Sequence, residues 1–219
     1  MSDRTDDPAP SPALTTGVIL CGGAGQRAGG ADKPLLTLGG RPIVLHVLAR
    51  VAPQVAHVVI SANRNIARYG AFGRVVADSE YAQCGPLAGV LAAARITPTP
   101  WLLVCPGDAP TLPTDLLQRL AASVTAASGA NSALETLMTA PAPVADAALP
   151  LTADGRQPLP LLVRTRCALG LDVFLGAGKR RVGEWLTTLH AVTADFRGRE
   201  TEFANLNHLE SFDPGQAPT

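Results

Sequence analysis

The feature that most limits what this chain can fold into is the step from Thr16–Cys21 (TGVILC) into a glycine-rich stretch. A short run of β-branched and aliphatic residues ending abruptly in glycines reads as a buried parallel strand that delivers a loop. The pattern then repeats. Behind Pro42, the residues Ile43, Val44, Val47, Leu48 and Val51 fall on one helical face, and His57 to Ser61 (HVVIS) is a second strand. Arg74 to Asp78 reads as a third strand, Pro86 to Arg95 as a helix and Trp101 to Cys105 (WLLVC) as a fourth strand. Regular strand–helix alternation requires right-handed crossovers and a mostly parallel sheet, with ligands beyond the carboxyl ends of the strands. The expected fold is therefore a single α/β, Rossmann-like domain, its sheet flanked by helices, with the loops after Cys21, Ser61, Ala77 and Cys105 sharing one edge.

The second half is less regular. A helix is expected from a cap at Thr114 to about Ala127, and the Ala/Pro-rich chain up to Pro150 shows no period that assigns an element. Leu159 to Val163 is read as a strand despite Pro160, with helical stretches at Ala168 to Leu175 and Arg181 to Leu186 and a late strand at Ala191 to Asp195. The domain is placed at residues 15–212, between a disordered Asp/Pro/Ala tail over 1–14 and a loose tail over 213–219. With 219 residues the chain can bury one sizeable core, and its 47% hydrophobic and 4% aromatic content makes that core aliphatic.

Charge and cysteine usage exclude several classes. Lysine and arginine together number 18, as do the acids, so no global field gathers nucleic acid or an anionic membrane. The four cysteines (Cys21, Cys84, Cys105 and Cys167) form no CxxC pair, which argues against zinc and a disulfide framework. No apolar stretch reaches the length of about 18 residues that a spanning helix needs, and the N-terminus lacks an apolar signal core. A cytoplasmic protein without membrane or nucleic-acid partners is expected.

Leu20 to Lys33 (LCGGAGQRAGGADK) holds five glycines, two basic residues and one acid. Glycines let backbone N–H groups converge on phosphate oxygens, and Arg27 and Lys33 can neutralise charge directly. A solvated flexible loop is the plain alternative. Gly23, Gly25 and Ala28 satisfy a dinucleotide-binding G-x-G-x-x-A, but no helix follows at once and the second strand lacks the acid that would hold a ribose. A P-loop is excluded, since no glycine stands directly before Lys33 and no Ser or Thr follows it. Asp108, in the turn CPGDAP after the fourth strand, offers a hard oxygen ligand for Mg²⁺ or, alternatively, a turn-capping carboxylate. Asn63 and Asp78 stand at strand ends, where they can reach a nucleotide or serve as ordinary turn residues.

ILCGGAGQRAGGADK resembles the signature of the molybdenum cofactor guanylyltransferases. The likeness continues through SANR (61–64), ADS (77–79), GPLAG (85–89), PGDAP (106–110), GKRRV (178–182) and FANLN (203–207). The departures are Cys21 in place of the usual alanine and Ala28 in place of the usual methionine. The resemblance implies GMP transfer from GTP to molybdopterin with release of pyrophosphate, Mg²⁺ on Asp108, and catalytic roles for Lys33, Asp108 and Arg27. It implies nucleotide contacts at Leu20, Cys21, Gly22, Lys33, Asn63, Asp78 and Asp108, with Gly23 and Gly85 as further binding candidates. For Asn205 and Asn207 the resemblance allows a role near the metal or the pterin, but structural turn polar groups are the stronger reading; Lys179, Arg180 and Arg181 could meet the pterin phosphate or form a solvated helix-start charge run, a reading that is at least as strong. A monomer is expected, and cofactor-delivery proteins are partners that the resemblance leaves open. The competing readings are a cytidylyltransferase on the same cofactor, a sugar-phosphate nucleotidyltransferase, whose signature puts proline before the lysine, and a non-catalytic nucleotide-binding module.

Overall fold

The computed structural model describes residues 8–21, 32–78, 80–81, 84–135 and 144–204, with the backbone alone over 128–135. Its core begins with β1 (Thr15–Leu20), every residue of which is buried. A hairpin, β2 (Thr37–Leu38) and β3 (Arg41–Pro42), precedes α1 (Ile43–Val51). Then come β4 (His57–Ser61), α2 (Ile66–Gly70), β5 (Arg74–Val76), α3 (Pro86–Arg95) and β6 (Trp101–Pro106). The second half adds α4 (Leu116–Glu135), β7 (Ala147–Thr152), β8 (Gly155–Arg156), β9 (Leu161–Arg164), α5 (Thr165–Leu169), α6 (Leu171–Gly176), α7 (Val182–Leu186) and β10 (Ala191–Asp195).

Among the described residues these strands form a sheet in the order β10-β7-β9-β6-β1-β4-β5, with β8 on β7. β1 pairs parallel with β4 and β6, β4 with β5, and β10 with β7, while β9 runs antiparallel to both neighbours. The sheet is therefore mostly parallel and lies between two helical layers. Side chains alternate between those layers with the two-residue period of a strand. On β1, Ile19 joins the core under α1 and α4, whereas Val18 and Leu20 join the core under α3, α6 and α7; on β6, Trp101, Leu103 and Cys105 face the first core and Leu102 and Val104 the second. No helix of the described residues is long and apolar enough to cross a membrane.

Several sequence expectations shift. The third strand ends at Val76, two residues short of Asp78. α4 begins at Leu116, and its first turn is satisfied by a residue far along the chain. Gln54 Oε1 accepts from Leu117 N at 2.9 Å and Gln54 Nε2 donates to Pro113 O at 2.9 Å. Thr114 is not the cap. The helix runs on to Glu135 because its alanine-rich second half, free of proline, favours helix. β7 emerges from the stretch that showed no period: Pro150 can sit within it because β9 pairs only with Ala147 and Ala148 and β8 only with Leu151 and Thr152, leaving that side of Pro150 without a donor to supply. β9 starts after Pro160.

The boundary drawn for the N-terminal tail also moves. Pro12–Leu14 form a 3₁₀ turn, Thr15 Oγ1 donates to Ser11 O at 2.7 Å, and the indole N–H of fully buried Trp101 donates to Pro8 O at 2.8 Å. A buried indole donor requires a partner, and residues 8–14 supply it.

Candidate active site at the strand ends

Strand register brings the candidate residues together. Leu20 is paired with Ser61 on β4 and with Pro106 on β6, and Ser61 is paired with Val76 on β5, so four carboxyl ends lie at one level. The ladder continues one residue further: Cys21 N donates to Ser61 O (2.8 Å), Gly107 N to Leu20 O (2.9 Å) and Ala62 N to Val76 O (3.0 Å). Cys21, the Gly107–Asp108 turn, Asn63 and Asp78 therefore leave the sheet side by side, as the open edge of a parallel sheet provides.

Lys33 opens a 3₁₀ turn, Lys33–Leu35, whose Pro34 packs against Gly107: a Cβ there would lie 3.3 Å from Pro34 Cγ. That packing sets Lys33 beside Asp108. Burial pushes the Asp108 carboxyl above its usual range, and its own backbone amide and the Lys33 charge only partly offset this. The result is a half-buried carboxylate that gains from a nearby cation. Among the described residues, no group of three or more His, Cys, Asp or Glu converges as a metal cage. Asp108 alone still fits a magnesium site of the kind that takes one or two carboxylates and completes its shell with substrate phosphates and water.

Asn63 and Asp78 form a reciprocal pair. Asn63 Nδ2 donates to Asp78 Oδ1, and Asp78 N donates to Asn63 Oδ1 at 3.0 Å. Asp78 is only 8% exposed and burial raises its pKa, with the Asn63 hydrogen bond acting the other way. Gly85 holds a φ of +81° immediately before α3, a conformation that glycine enters without a Cβ penalty. The helix approaches the strand ends closely at Gly89, where a Cβ would stand 2.3 Å from Ser61 Oγ.

Other candidates fall elsewhere. Lys179 bonds Glu184 at 2.8 Å and lies over the Phe174 ring, and Arg180 donates to Leu175 O at 2.6 Å, so both are engaged locally between α6 and α7. Gly22, Gly23, Arg27, Asn205 and Asn207 lie outside the described residues. Sequence reasoning missed the support beneath Lys33. Tyr69 OH donates to Asp32 Oδ1 at 2.8 Å and Asn65 Nδ2 to Asp32 Oδ2 at 2.9 Å. No local pattern announces those contacts, which span 37 and 33 residues.

The MobA-like NTP transferase domain family matches residues 17–192. A molybdenum cofactor guanylyltransferase of Ralstonia pickettii is 40% identical over 205 residues, covering 89% of this chain and 92% of that protein. One from Shewanella halifaxensis is 37% identical over 201 residues, covering 90% and 92%. Among solved structures, molybdopterin-guanine dinucleotide biosynthesis protein A from Archaeoglobus fulgidus is similar with a TM-score of 0.65 and 21% identity, over 90% of this chain and 94% of that one. That last likeness concerns the fold.

Proposed function

Because the chain belongs to the MobA-like NTP transferase family, with molybdenum cofactor guanylyltransferases as relatives along most of its length, we propose that it transfers GMP from GTP to molybdopterin. A phosphate oxygen of the pterin attacks the α-phosphorus of GTP, the bond to the bridging oxygen breaks, and pyrophosphate leaves. The convergence of Lys33 and Asp108 at the sheet edge carries this reading. Lys33 offsets charge on the triphosphate and the Asn63–Asp78 pair sits where the nucleoside would lie. Arg27 would add positive charge, and Leu20, Cys21, Gly22, Gly23 and Gly85 are the further nucleotide-binding candidates. Such a site works by positioning and electrostatic stabilisation, without a covalent protein nucleophile.

Nucleotidyltransferases of this family generally use a divalent metal. In this reading the ion is Mg²⁺ and Asp108 would hold it, supplying charge stabilisation to the transferring phosphoryl group. Gly22, lacking a Cβ, leaves room for a purine where the alanine of a cytidylyltransferase signature would crowd it. Action as a cytoplasmic monomer that passes its product to delivery proteins completes the proposal. GTP labelled at the α-phosphate tests the chemistry: the label should pass to the pterin product, while label at the γ-phosphate should leave in pyrophosphate. Label from the γ-position in the pterin would overturn the reading.

A further inference from the structure

The two ends of the glycine-rich stretch, Cys21 and Asp32, come together at Tyr69. Tyr69, on α2, is fully buried within the core cluster that also holds Cys21, Leu35 and Ala62. Its phenolic proton goes to Asp32 Oδ1 at 2.8 Å, and its ring shares the buried cluster with Cys21. A hydroxyl has one proton, and in Tyr69 that proton is given to Asp32.

The second Asp32 oxygen is taken by Asn65 Nδ2 at 2.9 Å, and Asn65 adopts a left-handed backbone, φ 51° and ψ 33°. Few residues other than glycine tolerate that conformation, and asparagine is foremost among them. Tyr69 N donates to Asn65 O at 3.1 Å, so the two side chains stand one helical turn apart and grip the same carboxylate. Asp32 then leads directly into the 3₁₀ turn in which Leu36 N donates to Lys33 O at 2.9 Å. The contacts form a continuous line from a rigid core ring to the backbone of Lys33.

We propose that Tyr69, assisted by Asn65, is a positioning residue for nucleotidyl transfer: by fixing Asp32 to the core that also holds Cys21, it sets the backbone from which Lys33 meets the triphosphate. The proposal rests on the reading of Lys33 as the counter-charge to GTP. Groups held in place before the substrate arrives need not be ordered by it, and small misplacements of a phosphate-binding cation cost rate steeply. Tyr69 does not touch the reacting atoms. Its effect must pass through Lys33.

That requirement gives the test. Tyr69→Phe keeps the ring in the core and removes the hydroxyl. It should lower kcat/KM for GTP by about tenfold while leaving KM for molybdopterin within about twofold of the parent. The melting temperature should fall by only a few degrees. In a Lys33→Ala background, the same substitution should change kcat/KM for GTP by less than about twofold, as groups acting in series are not additive. Asn65→Gly retains a backbone comfortable at positive φ, removes one grip on Asp32, and should show a smaller loss with the same dependence on Lys33. It also serves where Tyr69→Phe fails to fold. Normal kcat/KM in both variants, or losses undiminished in the Lys33→Ala background, would overturn the clamp while leaving the site reading intact. Full activity of Lys33→Ala alone would overturn both.

Discussion

The Gly107 amide donates to the Leu20 carbonyl at 2.9 Å, extending the β1–β6 ladder into the turn that carries Asp108. The approach leaves no space for a side chain. A Cβ on Gly107 would lie 2.7 Å from Cys21 Sγ and 2.9 Å from Leu20 O. The carbonyl is backbone and cannot rotate away, so the turn itself must shift. Gly107→Ala should therefore destabilise the fold by about 1–3 kcal/mol, a fall of several degrees in melting temperature, and should lower turnover because Asp108 is the next residue. A variant that melts and turns over like the parent would show that the turn has slack.

Asp108→Asn should have opposite effects on activity and stability. Burial raises the folded-state pKa of this carboxyl, so its ionised form is penalised in the fold at pH values above the ordinary carboxylate range, and the penalty vanishes below it. The amide removes the penalty and the charge together. Without metal, the variant at neutral pH should melt at or slightly above the parent temperature, while turnover falls on the order of a hundredfold or more. Melting curves without metal and turnover against magnesium concentration check both halves. Near-normal turnover at ordinary magnesium levels would make Asp108 a turn residue.

Removing residues 8–13 deprives the Trp101 indole of its acceptor, Pro8 O, and Thr15 of its acceptor, Ser11 O. An unpaired buried donor costs about 1–3 kcal/mol. A chain beginning at Leu14 should melt several degrees below one beginning at Pro8, with turnover at low temperature nearly the same. Equal melting would mean that the segment adds no stability.

The segment after β10 is tied down by charge. Arg199 bonds both Asp115 oxygens at 2.9 Å and Glu202 at 2.8 Å, and lies over the Phe196 ring. The Arg199 hydrogen bonds, followed by those of Arg119, hold the Asp115 carboxyl well below the usual carboxylate range, against some desolvation. A depressed folded-state pKa contributes stability that is present above the unfolded value of 3.8 and is lost as pH falls below it. The pair is partly solvated, so Arg199→Ala should cost only about 1 kcal/mol at neutral pH. The difference in melting temperature between parent and variant should shrink as pH is lowered from 5 towards 2, roughly the window in which Asp115 protonates. A difference that stays constant would show that Asp115 ionisation does not contribute to it.

How much of this was legible depended on how local each signal was. β1, β4 and β6 are short, largely apolar runs whose limits nearly match the sequence reading, because strands inside the sheet are covered by helices on both faces and demand continuous hydrophobicity. β7 was hidden, since alanines and Pro150 carry little strand propensity and only the arrangement of its neighbours makes the proline tolerable. In the site, Lys33 and Asp108 stood out as charges among glycines and prolines. Tyr69 and Gln54 did not, because their partners are 37 and 59 residues away and nothing nearby marks them.

Pyrophosphate release with each of the four nucleoside triphosphates, with and without molybdopterin, decides whether the enzyme transfers GMP to the pterin. Guanylyl transfer predicts release that requires molybdopterin and prefers GTP over CTP by at least about tenfold in kcat/KM, a difference of about 1.4 kcal/mol in transition-state binding. Equal rates with CTP, or release from GTP that ignores molybdopterin, would contradict it.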